Sequence, residues 1–127
     1  MSRITEAVQY SIPELNEGEV YVGAVFTPEG RGHHAILLAG SRGLSTWKDA
    51  LEWAASVGGD LPSRFELLML YTHAKDQFES DWYWSNQSYE HNDAFAWCQD
   101  FGYGNQDLTH KGYSGCRARA VRRLVIE

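Results

Sequence analysis

The segment Trp82–Gln106, "WYWSNQSYEHNDAFAWCQDFGYGNQ", places two strand-like runs on either side of a very polar connection. Three of the five tryptophans of the chain lie in this segment. The run "WYWSN" predicts a short strand, and Asp93–Phe101, "DAFAWCQDF", predicts another. Large apolar side chains therefore lie beside the most polar loop of the chain. The segment is either a core with a long turn or a surface that holds a ligand.

Two strands are predicted before this segment. Gly18–Phe26 is rich in β-branched and aromatic residues, and His33–Gly40 has the composition of a returning strand. Pro28 and Gly30 between them favour a turn, so the two runs form a hairpin. Residues 1–17 are mixed and polar, and we expect them to form an N-terminal arm.

Two helices are predicted between the hairpin and the tryptophan-rich segment. The first, near Thr46–Val57, has apolar residues at helical spacing that should pack on the sheet: Trp47, Leu51 and Ala54. The second begins with a capping box formed by Ser63 and Glu66 and ends near Lys75–Gln77. Its predicted buried stripe contains Phe65, Leu68, Met69 and either Tyr71 or Thr72.

The last predicted strand is Gly115–Ile126, in which small and charged residues alternate. The resulting order is β-β-α-α-β-β-β, an α+β arrangement with a C-terminal antiparallel sheet. The length of the chain fits one domain of residues 1–127.

The charge and hydropathy of the chain exclude several classes of partner. The formal net charge of −6 disfavours direct binding to nucleic acid, which needs clustered Lys and Arg. No apolar run has the length of a membrane span, so no membrane insertion is expected. The N-terminal sequence has no apolar core of a secretion signal. We therefore expect the protein in the cytosol or in a particle assembled there.

Four arginines lie near the C-terminus: Arg117, Arg119, Arg122 and Arg123. Three glutamates lie near the start of the chain: Glu14, Glu17 and Glu19. Pairing of these charges across neighbouring strands is the preferred interpretation, and a basic docking patch is the alternative. Period two places Arg117 and Arg119 on one strand face, and Val121 interrupts the alternation and predicts a bulge. The two arginines are expected to brace the loops through bidentate contacts to Asp100 or Asp107, with binding of an anionic ligand as the alternative.

Cys98 and Cys116 show no metal-ligand spacing, so no zinc site is expected. Their strand parity allows both to lie on one sheet face. Packed free thiols are the preferred interpretation, and a disulfide or redox pair is the alternative. His33 and His34 are adjacent in a strand and point to opposite faces, which suits no shared metal. No catalytic set can be assembled from neighbouring residues.

Five motifs follow one another over about the last two-thirds of the chain: "WKDALEWA" (Trp47–Ala54), "GGDLPSRFEL" (Gly58–Leu67), "WYWS" (Trp82–Ser85), "AWCQDFGYG" (Ala96–Gly104) and "RARAVRR" (Arg117–Arg123). In this combination the chain resembles a group of uncharacterised bacterial and phage domains of the C-type-lectin-like superfamily. The upstream hairpin resembles that of short phage and prophage members. Relatives include sugar-binding lectins, formylglycine-generating enzymes and target-binding proteins diversified by retroelements, so the fold alone does not imply a function.

The resemblance implies a display surface late in the chain, on Ser85–Asp93 and Gly102–Gly115. Tyrosine gives rigid contact area in such surfaces, and Asn and Ser give hydrogen bonds. The candidate ligand-binding residues are Asn86, Ser88, Tyr89, His91, Asn92, Tyr103 and Asn105. The expected framework residues are Trp47, Trp82, Trp84, Trp97, Arg117 and Arg119. A solvated turn is the alternative interpretation of the polar loop.

Calcium-dependent lectins of the superfamily use an E-P-N-like loop and a W-N-D-like strand, and neither is present here. The oxygens of Asp81 and of His91–Asp93 have no calcium-loop spacing. We therefore expect no metal, no cofactor and no catalytic residue.

Three functions are compatible with these observations. The leading one is a non-enzymatic recognition module of phage or prophage type, in the bacterial host cytoplasm or the phage particle, that binds a protein or glycan. The second is a small acidic phage effector that inhibits a host protein, such as a component of a nucleic-acid-handling defence complex. The third is a degenerate enzyme of the formylglycine type, for which Cys98 and Cys116 would be diagnostic. The edges of a small sheet also favour pairing between copies, so a homo-oligomer is an expected partner state.

Overall fold

The computed structural model describes residues 11–127, so residues 1–10 of the predicted arm lie outside it. Its elements are β1 (Val20–Phe26), β2 (Gly32–Leu37), β3 (Arg42–Ser45), α1 (Trp47–Ser56), α2 (Arg64–His73), β4 (Trp82–Ser88), β5 (Phe95–Asp100), β6 (Gln106–His110), β7 (Cys116–Ala118) and β8 (Val121–Ile126). A short 3-10 turn, Lys75–Gln77, follows α2. The α+β class and the two helices are confirmed. No helix within the described range is long and apolar enough to cross a membrane.

The strands form two sheets. The small sheet has the order β1-β2-β8, and the large sheet has the order β3-β7-β4-β5-β6. All pairs are antiparallel except β4 with β7, which run parallel, so the expected purely antiparallel C-terminal sheet is wrong in this detail. The predicted hairpin is confirmed as β1 and β2.

The predicted strand order misses three features. β3 has only four residues, and β6 has the polar sequence "QDLTH", so neither carries a strong strand pattern. The predicted strand Gly115–Ile126 is two strands in different sheets. The chain leaves the large sheet after Ala118 and enters the small sheet at Val121. The irregularity predicted at Val121 is therefore a change of sheet and not a bulge.

Strand β4 separates two apolar cores because its neighbouring side chains point to opposite faces. Trp84 is fully buried beside Ala50 and Ala54 of α1, and its indole N–H donates to the carbonyl of Ser45 at 2.9 Å. Tyr83 belongs to the second core, with Leu67 and Leu70 of α2 and the ring of Phe101. Trp84 thus lies in the interior, where a framework residue is expected.

Helix α1 packs as predicted. Thr46 caps it by accepting the backbone N–H of Asp49. Ala54 is buried, and Trp47 and Leu51 are partly buried against the Trp84 core. The indole of Trp47 also donates to the carbonyl of Ser85 at 2.8 Å, which ties the start of the helix to β4.

The buried face of α2 differs from the predicted one. The capping box of Ser63 and Glu66 is confirmed. Phe65 and Leu68, however, are 57% and 44% exposed, whereas Glu66, Leu67 and Leu70 are buried. Helix α2 is therefore rotated about its axis relative to the predicted orientation. The cause is polar, because Arg123 and His33 bind the Glu66 carboxylate and hold it inside. An apolar pattern alone does not predict a buried glutamate.

Leu67→Ala and Leu68→Ala distinguish the two faces of α2. Leu67 is 1% exposed, so its truncation leaves a cavity and should lower the free energy of unfolding by about 2–5 kcal/mol. Leu68→Ala should cost less than about 1 kcal/mol because its side chain is half in solvent. Urea unfolding of both variants measures the difference. Equal losses would contradict the observed orientation of the helix.

Candidate functional site

The sheet topology divides the predicted display surface into two. β4 and β6 run in one direction and β5 runs between them in the other. The connections 89–94 and 111–115 therefore lie at one end of the large sheet, called here the Tyr89 end. The turn 101–105 and the entry to β4, residues 79–81, lie at the other, called the Tyr103 end. Since a strand of six residues spans about 20 Å, one compact ligand cannot contact both ends.

At the Tyr89 end, three rings and a guanidinium pack together. The Tyr89 ring meets the rings of His91 and Trp97 edge to face, at centroid distances of 5.2 Å and 5.8 Å. The guanidinium of Arg64 lies 3.6 Å from the Trp97 ring centroid. Trp97 is half-buried and belongs to neither core, so its framework role is to support Tyr89 and not to fill the interior. Sequence reasoning missed Arg64, which comes from α2.

The polar loop is a short, closed turn. The backbone N–H of Tyr89 donates to the Phe95 carbonyl at 2.9 Å. The side-chain oxygen of Asn92 accepts the N–H of Ala94 at 3.0 Å. Part of the predicted solvated turn is thus correct, because Asn92 uses its acceptor to fix the loop. His91 is exposed, and Tyr89 is partly buried beside it.

Two other candidates also make contacts within the protein. The side-chain amide of Asn86 donates to Asp60 at 2.9 Å, and the Ser88 hydroxyl accepts from the Lys111 ammonium at 2.7 Å. The ammonium of Lys111 lies 4.5 Å from the ring centroid of Trp47. The side-chain nitrogen of Asn86 is thus engaged by Asp60, and its assignment to ligand binding stays a prediction.

Asp60 belongs to an ionic cluster that includes the most buried acid of the described chain. The guanidinium of Arg123 makes two hydrogen bonds to Glu66, at 2.9 Å and 2.7 Å, and one to Asp60 at 2.8 Å. His33 contacts the same Glu66 carboxylate at 2.8 Å. Burial of Glu66 opposes its ionisation, but the hydrogen bonds and charge of Arg123 and the N–H of Ser63 outweigh burial and lower its pKa to about 2.

The C-terminal arginines are bound within the protein, so no basic docking patch forms from them. Arg122 makes hydrogen bonds to both carboxylate oxygens of Glu19, at 3.0 Å and 2.9 Å, so one of the predicted charge pairs is confirmed. The expectation that the two ends form neighbouring strands is wrong, because β2 lies between β1 and β8. Arg117 pairs with Asp81 at 2.8 Å. The expected partners Asp100 and Asp107 are wrong.

Arg119 contacts carbonyls and no carboxylate. It is 7% exposed and donates to the backbone carbonyls of Gln77 and Leu38, the latter at 3.0 Å. Its guanidinium also lies 5.3 Å from the Phe78 ring centroid. The side chain therefore braces the change of sheet, and not the loops as expected. Anion binding by Arg119 is not supported, because these contacts hold its guanidinium in the interior.

The two thiols lie together in the interior. The sulfur atoms of Cys98 and Cys116 are 3.3 Å apart, both residues are buried and both are free thiols. Their predicted common sheet face is confirmed. Contact with Cys116 and burial raise the pKa of Cys98. A thiol with a raised pKa is a poor nucleophile.

The Tyr103 end contains an open pocket of about 480 Å³. Its lining residues are Ser80, Asp81, Trp82, Asp100, Gly102 and Tyr103. Tyr103 is 90% exposed, and Asn105 is also exposed, as expected of display residues. Trp82 is partly buried and packs on the Trp84 core at the pocket wall, which supports its framework role. The acids of this pocket were not predicted as ligand contacts, since they lie apart in the sequence.

A second pocket of about 380 Å³ lies in the small sheet, between the β1–β2 turn and the end of β8. Within residues 11–127, no group of three or more His, Cys, Asp and Glu side chains is arranged to hold a metal ion.

Glu66→Gln should change how stability depends on pH. Because the folded-state pKa of about 2 lies below the ordinary value of 4.5, ionised Glu66 stabilises the fold fully above pH 4.5, and this contribution is lost as the pH falls towards 2. The gap between the two pKa values is worth about 3 kcal/mol. The difference in unfolding free energy between wild type and Glu66→Gln should shrink by this amount from pH 6 to pH 2. For the exposed Glu52→Gln control, the difference in unfolding free energy from wild type should stay nearly constant over this pH range. A pH-independent difference for Glu66→Gln would contradict the lowered pKa of Glu66.

Arg119→Lys should not replace arginine. An ammonium cannot reach carbonyls on two segments with the planar geometry of a guanidinium, so both Arg119→Lys and Arg119→Ala should lose about 2–3 kcal/mol of unfolding free energy. The half-exposed Arg42→Lys is the control, with a change below about 0.5 kcal/mol. Thermal and urea unfolding measure these differences. A fully stable Arg119→Lys variant would show that only charge matters at this position.

Comparison with protein-family models and with curated proteins gives no match to this chain. The resemblance to C-type-lectin-like domains therefore depends on the five motifs quoted above. It stays a prediction, as does the single-domain assignment of residues 1–127.

Proposed function

We propose that this chain is a non-enzymatic recognition module of phage or prophage type with a C-type-lectin-like fold, and that its Tyr89 end binds a protein or glycan. The α+β class, the hairpin β1–β2 and the two helices before the C-terminal strands are compatible with such a fold. The observation that carries the functional proposal is the edge-to-face packing of Tyr89 on Trp97, with Arg64 over the Trp97 ring.

This edge-to-face packing gives Tyr89 the properties of an interface anchor. An aromatic side chain that is already ordered loses little conformational entropy on binding, and its ring offers both apolar area and a hydroxyl. The backbone hydrogen bond of Tyr89 to Phe95 fixes the position of its main chain. His91 beside it is exposed, and Tyr113 in the neighbouring connection is 62% exposed. The exposed rings of His91 and Tyr113 are therefore available for contacts with a ligand.

The remaining polar groups of the Tyr89 end help to select the ligand. His110 meets the ring of Phe95 edge to face at 5.6 Å and accepts the N–H of Gly112. Lys111 adds a positive charge near Trp47. A surface of rings, imidazoles and an ammonium favours a partner with hydroxyl or carboxylate groups, such as a glycan or an acidic protein loop.

A second candidate function is that of a small acidic effector which inhibits a host protein. The observation that favours it is the pair of carboxylates, Asp81 and Asp100, in the pocket of the Tyr103 end. An acidic surface accelerates association with a basic cleft, and the gain falls as salt is raised. The two candidates therefore use opposite ends of the same sheet.

Tyr89→Ala tests the leading proposal. Ligands would be sought with a glycan array and by affinity capture from bacterial lysate with identification by mass spectrometry. For a ligand found with the wild type, Tyr89→Ala should weaken binding by about 30-fold, the effect of losing an interface anchor of about 2 kcal/mol. The variant should stay folded, with a modest fall in melting temperature because Tyr89 is partly buried and belongs to neither apolar core.

Phe26→Ala is the matched control, because it removes a half-exposed ring from the small sheet. It should leave the affinity unchanged. Wild-type affinity of a folded Tyr89→Ala variant for every ligand found would rule out the Tyr89 end as the binding surface.

A further inference from the structure

The pocket at the Tyr103 end is built on hydrogen-bonded backbone. Trp82 and Asp100 face each other across β4 and β5, and the N–H of Phe101 donates to the Asp81 carbonyl at 3.0 Å. The tight turn closes where the N–H of Gly104 donates to the Asp100 carbonyl at 2.8 Å. Gly104 has a φ of 90°, and a Cβ there would lie 2.8 Å from the ring of Tyr71, so only glycine fits. The walls are therefore fixed before any ligand arrives.

The two acids of the pocket differ in how their charge is balanced. Asp81 pairs with Arg117 at 2.8 Å and accepts the N–H of Trp82. Asp100 is only 8% exposed, and one of its oxygens accepts the N–H of Gly102 at 2.8 Å. Among residues 11–127, no cationic group lies within salt-bridge distance of Asp100, and its second oxygen accepts no hydrogen bond. Because Asp100 lines the open pocket, its second oxygen can accept hydrogen bonds from a cationic group that enters the pocket.

The aromatic walls restrict the chemistry of that charge. Tyr103 extends 90% exposed at the rim. Cations are attracted to the faces of such rings, and a planar guanidinium also stacks on them. A guanidinium can donate two parallel hydrogen bonds to a carboxylate, which a neutral sugar cannot match in strength.

We propose that this pocket binds an arginine side chain of a protein partner, with Asp100 as the charge acceptor and Tyr103 as the stacking wall. The inference rests on the proposed role of the chain as a binding module and gives the partner a basic, exposed contact. A pocket of about 480 Å³ is large enough for the guanidinium and its alkyl stem.

A peptide titration tests this inference directly. The probe is acetyl-Gly-Arg-Gly-amide, added to the full ¹⁵N-labelled chain and followed by NMR. The amide of Gly102 and the indole N–H of Trp82 should shift with a Kd on the order of millimolar. The same peptide with citrulline in place of arginine is neutral and nearly isosteric. Its Kd, measured from the same resonances, should be at least about ten-fold higher.

Asp100→Asn is the central variant. Its side-chain oxygen can still accept the N–H of Gly102, whereas the charge is lost, so the turn should stay folded and the arginine peptide should bind about ten-fold more weakly. Asp107→Asn removes the same charge from an exposed site on β6 and should change binding less than about two-fold. Tyr103→Ala removes a solvent-exposed ring, so it stays folded even if Asp100→Asn does not, and it should also weaken binding.

The arginine pocket would be overturned by equal affinity for the citrulline peptide, or by the absence of any shift at millimolar arginine peptide. Undiminished binding of the arginine peptide to both Asp100→Asn and Tyr103→Ala would also overturn it. Shifts of the same resonances by a neutral disaccharide without any by the arginine peptide would overturn it too, in favour of a glycan. Tyr89→Ala should bind the peptide like wild type, because it lies at the opposite end. The pocket and the proposed role of Tyr89 can therefore fail separately.

Discussion

The bidentate ion pair of Arg123 with Glu66 is the contact on which the arrangement of the elements depends. It joins β8 of the small sheet to the first turn of α2, and the same guanidinium reaches Asp60. Glu66 also completes the capping box with Ser63, so one carboxylate starts the helix and attaches it to the sheet. Removing one partner of such a buried pair leaves an uncompensated charge, which is why the whole cluster must form together.

The ion pair also controls what the surface can offer. By drawing Glu66 inward, it turns Phe65 and Leu68 to solvent and directs Arg64 towards β5, where it stacks on Trp97. Asp60, held by the same arginine, engages the side-chain nitrogen of Asn86. The guanidinium that lies over Trp97, on which Tyr89 packs, thus comes from the same helix turn as the buried Glu66.

Local patterns in the sequence predicted the elements that depend on local interactions. The hairpin, both helix caps and the buried position of Trp84 follow from turn residues, capping residues and strand alternation, and all are observed. The buried face of α2 was wrong at Phe65 and Leu68, because it depends on Arg123, 57 residues away in the chain, whereas Met69 and Tyr71 pack on the second core as predicted. The split of the display loops was missed for the same kind of reason, since strand direction places Tyr103 and Tyr89 at opposite ends. The pocket acids, Asp81 and Asp100, become neighbours only when β4 pairs with β5.

The change of sheet at Arg119 and Ala120 has a consequence for how the chain acquires its structure. β7 lies inside the large sheet between β3 and β4, and β8 covers one edge of the small sheet, yet both follow every other element in the chain. Neither sheet is complete until this segment has left the ribosome. The earlier elements must therefore wait in a partly open state, with the place between β3 and β4 unfilled. We expect the two sheets to form in a single cooperative event, governed by contacts of long sequence separation, and not one after the other during synthesis.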